Sequence, residues 1–148
     1  MRSTSRRAFG PRSSSFQRLW VAIAGVKRFS ASVLTQLDAI KYMPIRAGSE
    51  HRFIHVWVVV LQGRAFVRSW NDKRTGWYRA FLEEPHGAIK LAEKEVAVRG
   101  KRASGARLND GVDAAYAAKY TTKANQKYVK GFATSRRRAT TIELVPAL

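Results

Sequence analysis

Cysteine is absent from the 148 residues, which excludes a disulfide framework, a thiol nucleophile and every zinc or iron–sulfur centre built on thiolates. A chain without thiols suits either redox environment, so the compartment stays open on this ground. Acidic residues are scarce: ten Asp+Glu stand against 28 Lys+Arg, a formal net charge of +18. Histidine is limited to three residues, of which His51 and His55 form the one close pair. On a strand, residues four apart are separated by roughly 13 Å, so no shared ion is expected and no metal is assigned. No apolar run approaches the roughly 20 residues that cross a bilayer, and no membrane span is expected. The serine-hydrolase elbow, the phosphate loop and the dinucleotide glycine fingerprint are all missing. The acid pairs Glu83 with Glu84 and Glu93 near Glu95 read as solvated charge on a helix end and a hairpin.

The positive charge is unevenly placed. Residues 1–36 and residues 119–138 each hold seven Lys+Arg and no acid, and together they supply most of the field. Such a field draws phosphate-bearing ligands, nucleic acid or anionic lipid, and salt weakens it. Charge alone equally suits a solubilising surface. Residues 1–30 read as a basic Ser/Arg-rich extension, too polar to order itself, ahead of a domain over residues 31–148. Ser5-Arg6-Arg7-Ala8-Phe9 looks like a twin-arginine export signal. The apolar stretch behind it, residues 19–26, is short and ends in Lys27-Arg28 where a small-residue cleavage site belongs. A cytoplasmic chain is the expectation.

Beyond residue 31 the pattern is period-two strands broken by short helices. Ser32 is the expected cap of a brief helix carrying Val33, Leu34 and Leu37. Ile40 and Tyr42 suggest a strand that Pro44 breaks or leaves at an edge. Residues 51–61 form the strongest strand, apolar on both faces and therefore central. Gln62-Gly63 turns it into residues 64–70, a hairpin. Asn71 or Thr75 can cap a helix that Pro85 stops. Residues 88–92 and 94–99 make a second hairpin, with Ile89, Leu91, Val96 and Val98 inward. Asn109 is the expected cap of a helix with Val112, Ala115, Tyr116 and Tyr120 on one face. A basic stretch and a last strand over residues 140–145 close the chain. This order predicts an α+β fold, a six-stranded antiparallel split β-barrel with two or three flanking helices.

One cluster suggests chemistry. Alternation places Phe66, Arg68 and Trp70 on one strand face, and Ser69 between them. The following loop adds Lys73 and Arg74, and the helix start adds Trp77, Tyr78 and Arg79. Forked guanidinium donors suit phosphate, and flat rings stack on planar heterocycles. The group suits a flavin or another small phosphorylated aromatic ligand. The alternative is structural: Trp57, Phe66 and Trp77 belong to the core, and Arg68 answers a buried carboxylate such as Glu143.

Three segments together resemble the bacterial family called domain of unknown function 2255. The first runs Val56-Trp57-Val58-Val59-Val60, then Arg64-Ala65-Phe66-Val67-Arg68-Ser69, then Gly76-Trp77-Tyr78-Arg79. The second is Leu108-Asn109-Asp110-Gly111-Val112-Asp113-Ala114-Ala115-Tyr116-Ala117-Ala118-Lys119-Tyr120, and the third Arg136-Arg137-Arg138-Ala139-Thr140-Thr141-Ile142-Glu143-Leu144. The similarity covers residues 33–146. It implies a place in the split-barrel superfamily of pyridoxamine-phosphate-oxidase-like and deazaflavin-dependent nitroreductase-like proteins. Trp77-Tyr78-Arg79-Ala80-Phe81 and Pro85 echo the nitroreductases' Trp-Tyr-x-Asn-Leu segment, with Ala80 where those carry asparagine and Phe81 where they carry leucine. The resemblance implies FMN or deazaflavin as cofactor, a homodimer, and an oxidoreductase of the FMN- or deazaflavin-dependent reductase type. The cofactor-binding candidates are Arg68, Ser69, Lys73, Arg74, Trp77, Tyr78, Arg79 and Trp57; no catalytic residue is assigned. Lys119, Arg136 and Arg138 match family positions without a derivable role. The competing reading is a non-catalytic module that binds nucleic acid without sequence preference through the arm and residues 119–138.

Overall fold

The computed structural model describes residues 28–147, so the expectations for residues 1–27, the export-like motif among them, lie outside the described residues. The fold takes in Phe29, 8% exposed, and Ser30, both assigned above to the extension. Ser30, not Ser32, caps the first helix, α1 (Ala31–Ala39), its hydroxyl accepting from the Val33 amide at 3.2 Å.

The strands are β1 (Met43–Ala47), β2 (Ile54–Val56), β3 (Val58–Leu61), β4 (Arg64–Val67), β5 (His86–Leu91), β6 (Lys94–Arg102) and β7 (Ile142–Pro146). All neighbours are antiparallel, in the order β2-β1-β5-β6-β7-β4-β3. The two edge strands of that sheet, β2 and β3, are separated in sequence by Trp57 alone. The edges therefore meet at one residue, and the sheet is a nearly closed barrel. Closure removes the exposed edges that would otherwise template association. Seven strands replace the expected six because the run over residues 51–61 divides at Trp57. One half pairs with β1 and the other with β4.

The barrel interior is aliphatic. Met43, Ile45, Val58, Val67, Ile89, Val98, Ile142 and Leu144 are all at or below 1% exposed. β1 runs from Met43, not from Ile40, because Met43, Ile45 and Ala47 are the alternate residues that point inward. Pro44 sits inside it: the ladder to β5 begins only at Ile45, so the missing amide costs no bond there. The first hairpin turn lies where expected, with Gln62 and Gly63 at φ 53° and 75°; the second takes Ala92 out of its strand, with Ala92 and Glu93 at φ 50° and 65°.

Five α-helices exceed the expected two or three among the described residues. After α1 come α2 (Trp77–Glu83), α3 (Ala106–Lys119), α4 (Gln126–Phe132) and α5 (Ser135–Arg138). The basic stretch thus folds as two further helices, because Val129 and Phe132, three apart, turn one face of it onto the barrel. α3 starts three residues before Asn109, whose side chain is engaged elsewhere. α3 and α4 roof the outer face of β3 and β4 through a mostly aromatic cluster: Val59, Phe66, Val112, Tyr116, Tyr120 and Phe132. The roof covers the outer face of β3, but the two pieces of the 51–61 run, expected as one central strand, stand at the two ends of the strand order, and His55 is exposed. No helix among the described residues is long and apolar enough to cross a membrane.

Candidate functional site

The break at Trp57 creates the site. The β3–β4 ladder ends with Val58 opposite Val67. If the hairpin continued, residues 55–57 would face residues 68–70. Val56 instead lies opposite Met43 of β1, and the two arms part like a fork. Between them opens a cleft of about 730 Å³, within the range of roughly 300–1,000 Å³ usual for small-molecule sites.

One arm is held by hydrogen bonds from α3 and the other by hydrogen bonds from α5 and the turn after it. On one arm, Tyr116 Oη donates to the Trp57 carbonyl at 3.3 Å and Lys119 Nζ to the Val58 carbonyl at 2.6 Å. Burial pushes the Lys119 ammonium down to a pKa of about 8, with Asp38 pulling it back up. Burial likewise raises the Tyr116 and Tyr120 phenols above their ordinary value. On the other arm, the Ser69 amide donates to Thr140 Oγ1 at 2.9 Å, and Arg137 Nε to the Trp70 carbonyl at 2.9 Å. Strand groups that lost their ladder partners are thus answered by side chains, as buried backbone requires. Two of the sequence segments singled out above, Tyr116-Ala117-Ala118-Lys119-Tyr120 and Arg136-Arg137-Arg138-Ala139-Thr140-Thr141, do this work.

Six aromatic side chains line the cleft: Tyr42, Trp57, Trp70, Trp77, Tyr128 and Phe132. Arg46, Arg52, Arg68 and Lys73 supply cations, His51 and His55 two imidazoles, and no Asp or Glu among the described residues lines it. Tyr42 and Tyr128, at 51% and 37%, are the most exposed large apolar side chains described, and both stand here.

The cleft brings together five of the eight expected residues: Trp57, Arg68, Ser69, Lys73 and Trp77. It leaves out Arg74, Tyr78 and Arg79. Tyr78 is buried, its hydroxyl 3.4 Å from the Ala139 carbonyl. Arg79 forms a two-point pair with Asp72 at 2.6 and 2.7 Å. Arg74 is exposed away from the lining. The helix explains the separation: α2 begins at Trp77, so Tyr78 turns inward and Arg79 outward.

Arg68 has another task. Its side chain is wholly buried, and its five N–H donors all have protein acceptors. Nε donates to Thr141 Oγ1 at 2.8 Å. One terminal nitrogen donates to Asp113 and to the Phe132 carbonyl, at 2.9 Å for the latter. The other reaches the Asn109 carbonyl and side-chain oxygen at 3.2 and 3.3 Å. Its carboxylate is Asp113, not Glu143, which instead takes a bidentate pair from Arg64. Arg68 therefore offers a phosphate no free donor. Arg138 joins the same network through Asp110 and Asp113. Ser69 spends its hydroxyl on the Asn71 carbonyl.

Free donors come from Lys73, a candidate from the sequence, and from Arg52, which was not one. The side chains of Arg52 and Lys73 are exposed and have no hydrogen-bond partner among the described residues. Arg46 pairs with Glu95 through one nitrogen at 3.0 Å, while its Nε is buried without a partner. The signal for Arg46 and Arg52 lies in which segments the fork brings together, a tertiary fact. His51 and His55 share the cleft, but no group of three or more His, Cys, Asp or Glu among the described residues could hold a metal.

Residues 33–144 match the family described as "Uncharacterized protein conserved in bacteria (DUF2255)". Among solved structures, the chain is similar to the conserved hypothetical protein Rv2991 from Mycobacterium tuberculosis, with a TM-score of 0.50 and 9% identity over 82% of this chain and 81% of that one. It also aligns with a heme binding protein from Mycobacterium smegmatis at a TM-score of 0.44 and 16% identity, over 81% of this chain and 52% of the other, about half its length. No curated protein matches significantly.

Proposed function

The chain belongs to the uncharacterized bacterial family DUF2255, and on that premise we propose that it binds a phosphorylated planar heterocycle of the flavin class, FMN or a deazaflavin, in the cleft at the barrel's fork. One observation carries this reading: six aromatic rings line one cleft together with Arg52 and Lys73, two exposed cations whose side chains no described acceptor engages. Aromatic faces suit a flat ring system. Unpaired cations next to low-dielectric walls concentrate anions. Arg46 also lines the cleft, with one guanidinium nitrogen already spent on Glu95 at 3.0 Å.

Trp57, Trp70 and Trp77 would form the walls, and Arg52, Lys73 and Arg46 would meet the phosphate. A bound flavin supplies hydride chemistry by itself. The chain's own side chains then bind, orient and shield, which agrees with the lack of any nucleophile–base arrangement in the sequence. A reductase is the activity this reading favours. The test is titration of the purified protein with FMN and with a deazaflavin. Quenching of their fluorescence at micromolar protein, with ligand absorbance between roughly 350 and 500 nm retained after gel filtration, supports the reading. Unchanged fluorescence overturns it. Sedimentation of the same sample tests the homodimer that the resemblance implies.

A second reading rests on Lys123, Lys127 and Lys130, which are exposed and helically spaced along the 3-10 turn Lys123–Asn125 and α4. They suit a polyphosphate backbone. Retardation of short DNA or RNA that falls steeply with salt, and is lost when the three are replaced by Gln, supports it. Binding equal to that of any basic control protein overturns it.

A further inference from the structure

Two residues that do not line the cleft hold its indoles. Trp57 lies face to face with Tyr120, ring centroids 3.8 Å apart and planes 3° from parallel. Tyr120 is 2% exposed and fixed in turn by its hydroxyl, which donates to the Lys41 carbonyl at 2.8 Å. Trp70, on the opposite arm, carries the Arg137 guanidinium 3.6 Å from its ring centroid, and the same guanidinium donates to the Trp70 carbonyl at 2.9 Å. Gly131 closes the other approach: a Cβ placed there would stand 2.5 Å from Trp70 Cζ3. Between the two indoles, Phe132 lies 5.8 Å from Trp57 and 5.3 Å from Trp70. The aromatic chain is thus fastened at both ends before any ligand arrives.

We infer that Tyr120 and Arg137 are positioning residues that pre-set the indoles of Trp57 and Trp70, so that the stacking slot exists in the ligand-free protein. The inference rests on the cleft reading above and goes beyond it by assigning control of the slot to side chains outside it. The physical basis is preorganisation: a wall already ordered loses no rotamer freedom when the ligand binds. Stacking and cation–π contacts fix ring planes, which a generic apolar neighbour does not.

FMN affinity is measured for the wild type, Tyr120→Phe, Tyr120→Leu, Arg137→Lys, Arg137→Met and Gly131→Ala, beside the far-ultraviolet circular dichroism of each protein without ligand. Tyr120→Phe keeps the stacked ring and is expected to bind within about threefold of wild type. Tyr120→Leu is expected to lose about tenfold or more and to lose the exciton signal of the stacked pair. Arg137→Met is expected to lose about tenfold, with Arg137→Lys in between, because a lysine keeps the cation but not the planar fork. Gly131→Ala, at a helical position without positive φ, puts a Cβ in clash with the Trp70 ring, so that indole must move. FMN binding should weaken, with circular dichroism reporting whether the helix is kept. Wild-type affinity in Tyr120→Leu, Arg137→Met and Gly131→Ala, with FMN bound by the wild type, overturns the inference and leaves the cleft reading standing. Failure of the wild type itself to bind FMN overturns both.

Discussion

Arg68 and Lys73 stand five residues apart, on either side of one cleft wall, and meet opposite fates. Arg68 points under the roof made by α3 and α4, where two backbone carbonyls, Asn109, Asp113 and Thr141 take every donor it has. Lys73, with Arg52 across the fork, points into a space that no described carboxylate shares. Both regions combine cations with aromatic rings, so composition cannot separate them. The acceptor count does. A guanidinium whose five donors are consumed acts as a rivet between β4, α3, α4 and the approach to β7. A cation without acceptors keeps its field for a ligand.

The sharpest way to break this contrast is at the rivet. Arg68→Met is expected to lower stability by about 3–5 kcal/mol, the usual cost of stripping one partner from a buried ion pair. Arg138, which also reaches Asp113 at 3.3 Å, holds the loss near the lower end. Arg68→Lys is expected to recover little, since three donors on a flexible stem cannot reach five acceptors. Urea unfolding measures both, and a loss under about 1 kcal/mol for Arg68→Met would move Arg68 into the same class as Lys73.

The complementary experiment is at the cleft. Arg52→Gln combined with Lys73→Gln is expected to leave unfolding within about 0.5 kcal/mol of wild type, because neither side chain has a described partner to lose. FMN affinity should fall about tenfold, and its dependence on salt should flatten. An unfolding change larger than the affinity change, once both are expressed as free energies, would reverse the roles of the two regions.

How far the sequence reveals this contrast depends on the range of the interactions. Alternation is local, and it correctly places Phe66, Arg68 and Trp70 on one face and Ile142 and Leu144 inward. Helical spacing is local too, and it identifies the Val112, Ala115, Tyr116, Tyr120 face of α3. The fork at Trp57 is not local. Residues 53–61 are apolar on both faces whether they pair with one neighbour or change neighbours midway, so one long strand is the natural reading. With the fork hidden, Arg46, Arg52 and Tyr128 could not be placed beside Trp70. Arg74, Tyr78 and Arg79 joined the candidate set by adjacency in sequence; one turn of α2 separates Tyr78 from Arg79, and Arg74 lies exposed in the turn ahead of the helix. Val129 and Phe132 were masked by the lysines around them, which concealed α4 and with it the roof that consumes Arg68.

Lys119 offers the finest test, because it lies between the two extremes. Its ammonium is half-buried and donates to the carbonyls of Leu37 and Val58 at 2.9 and 2.6 Å, and Asp38 acts on it only through space, with no carboxylate among the described residues in salt-bridge contact. Burial lowers its pKa from the ordinary 10.5 to about 8. Between those two values the unfolded chain holds a proton that the folded chain has released, so stability rises with pH across the window. Below pH 8 both states are charged and the contribution is flat. Above pH 10 the buried Tyr116 and Tyr120, whose values are raised, act with the opposite sign, so the informative interval is pH 8 to 9.5. Solvent around the exposed half of the side chain cuts the effect to about 1 kcal/mol. Lys119→Met removes the hydrogen bonds at every pH but removes the titration as well. The difference in unfolding free energy, wild type minus Lys119→Met, is therefore expected to grow from pH 7.5 to 9.5. A difference that stays constant over that interval would mean that water already solvates the ammonium at the bend, leaving the tyrosines alone to hold the Trp57 arm.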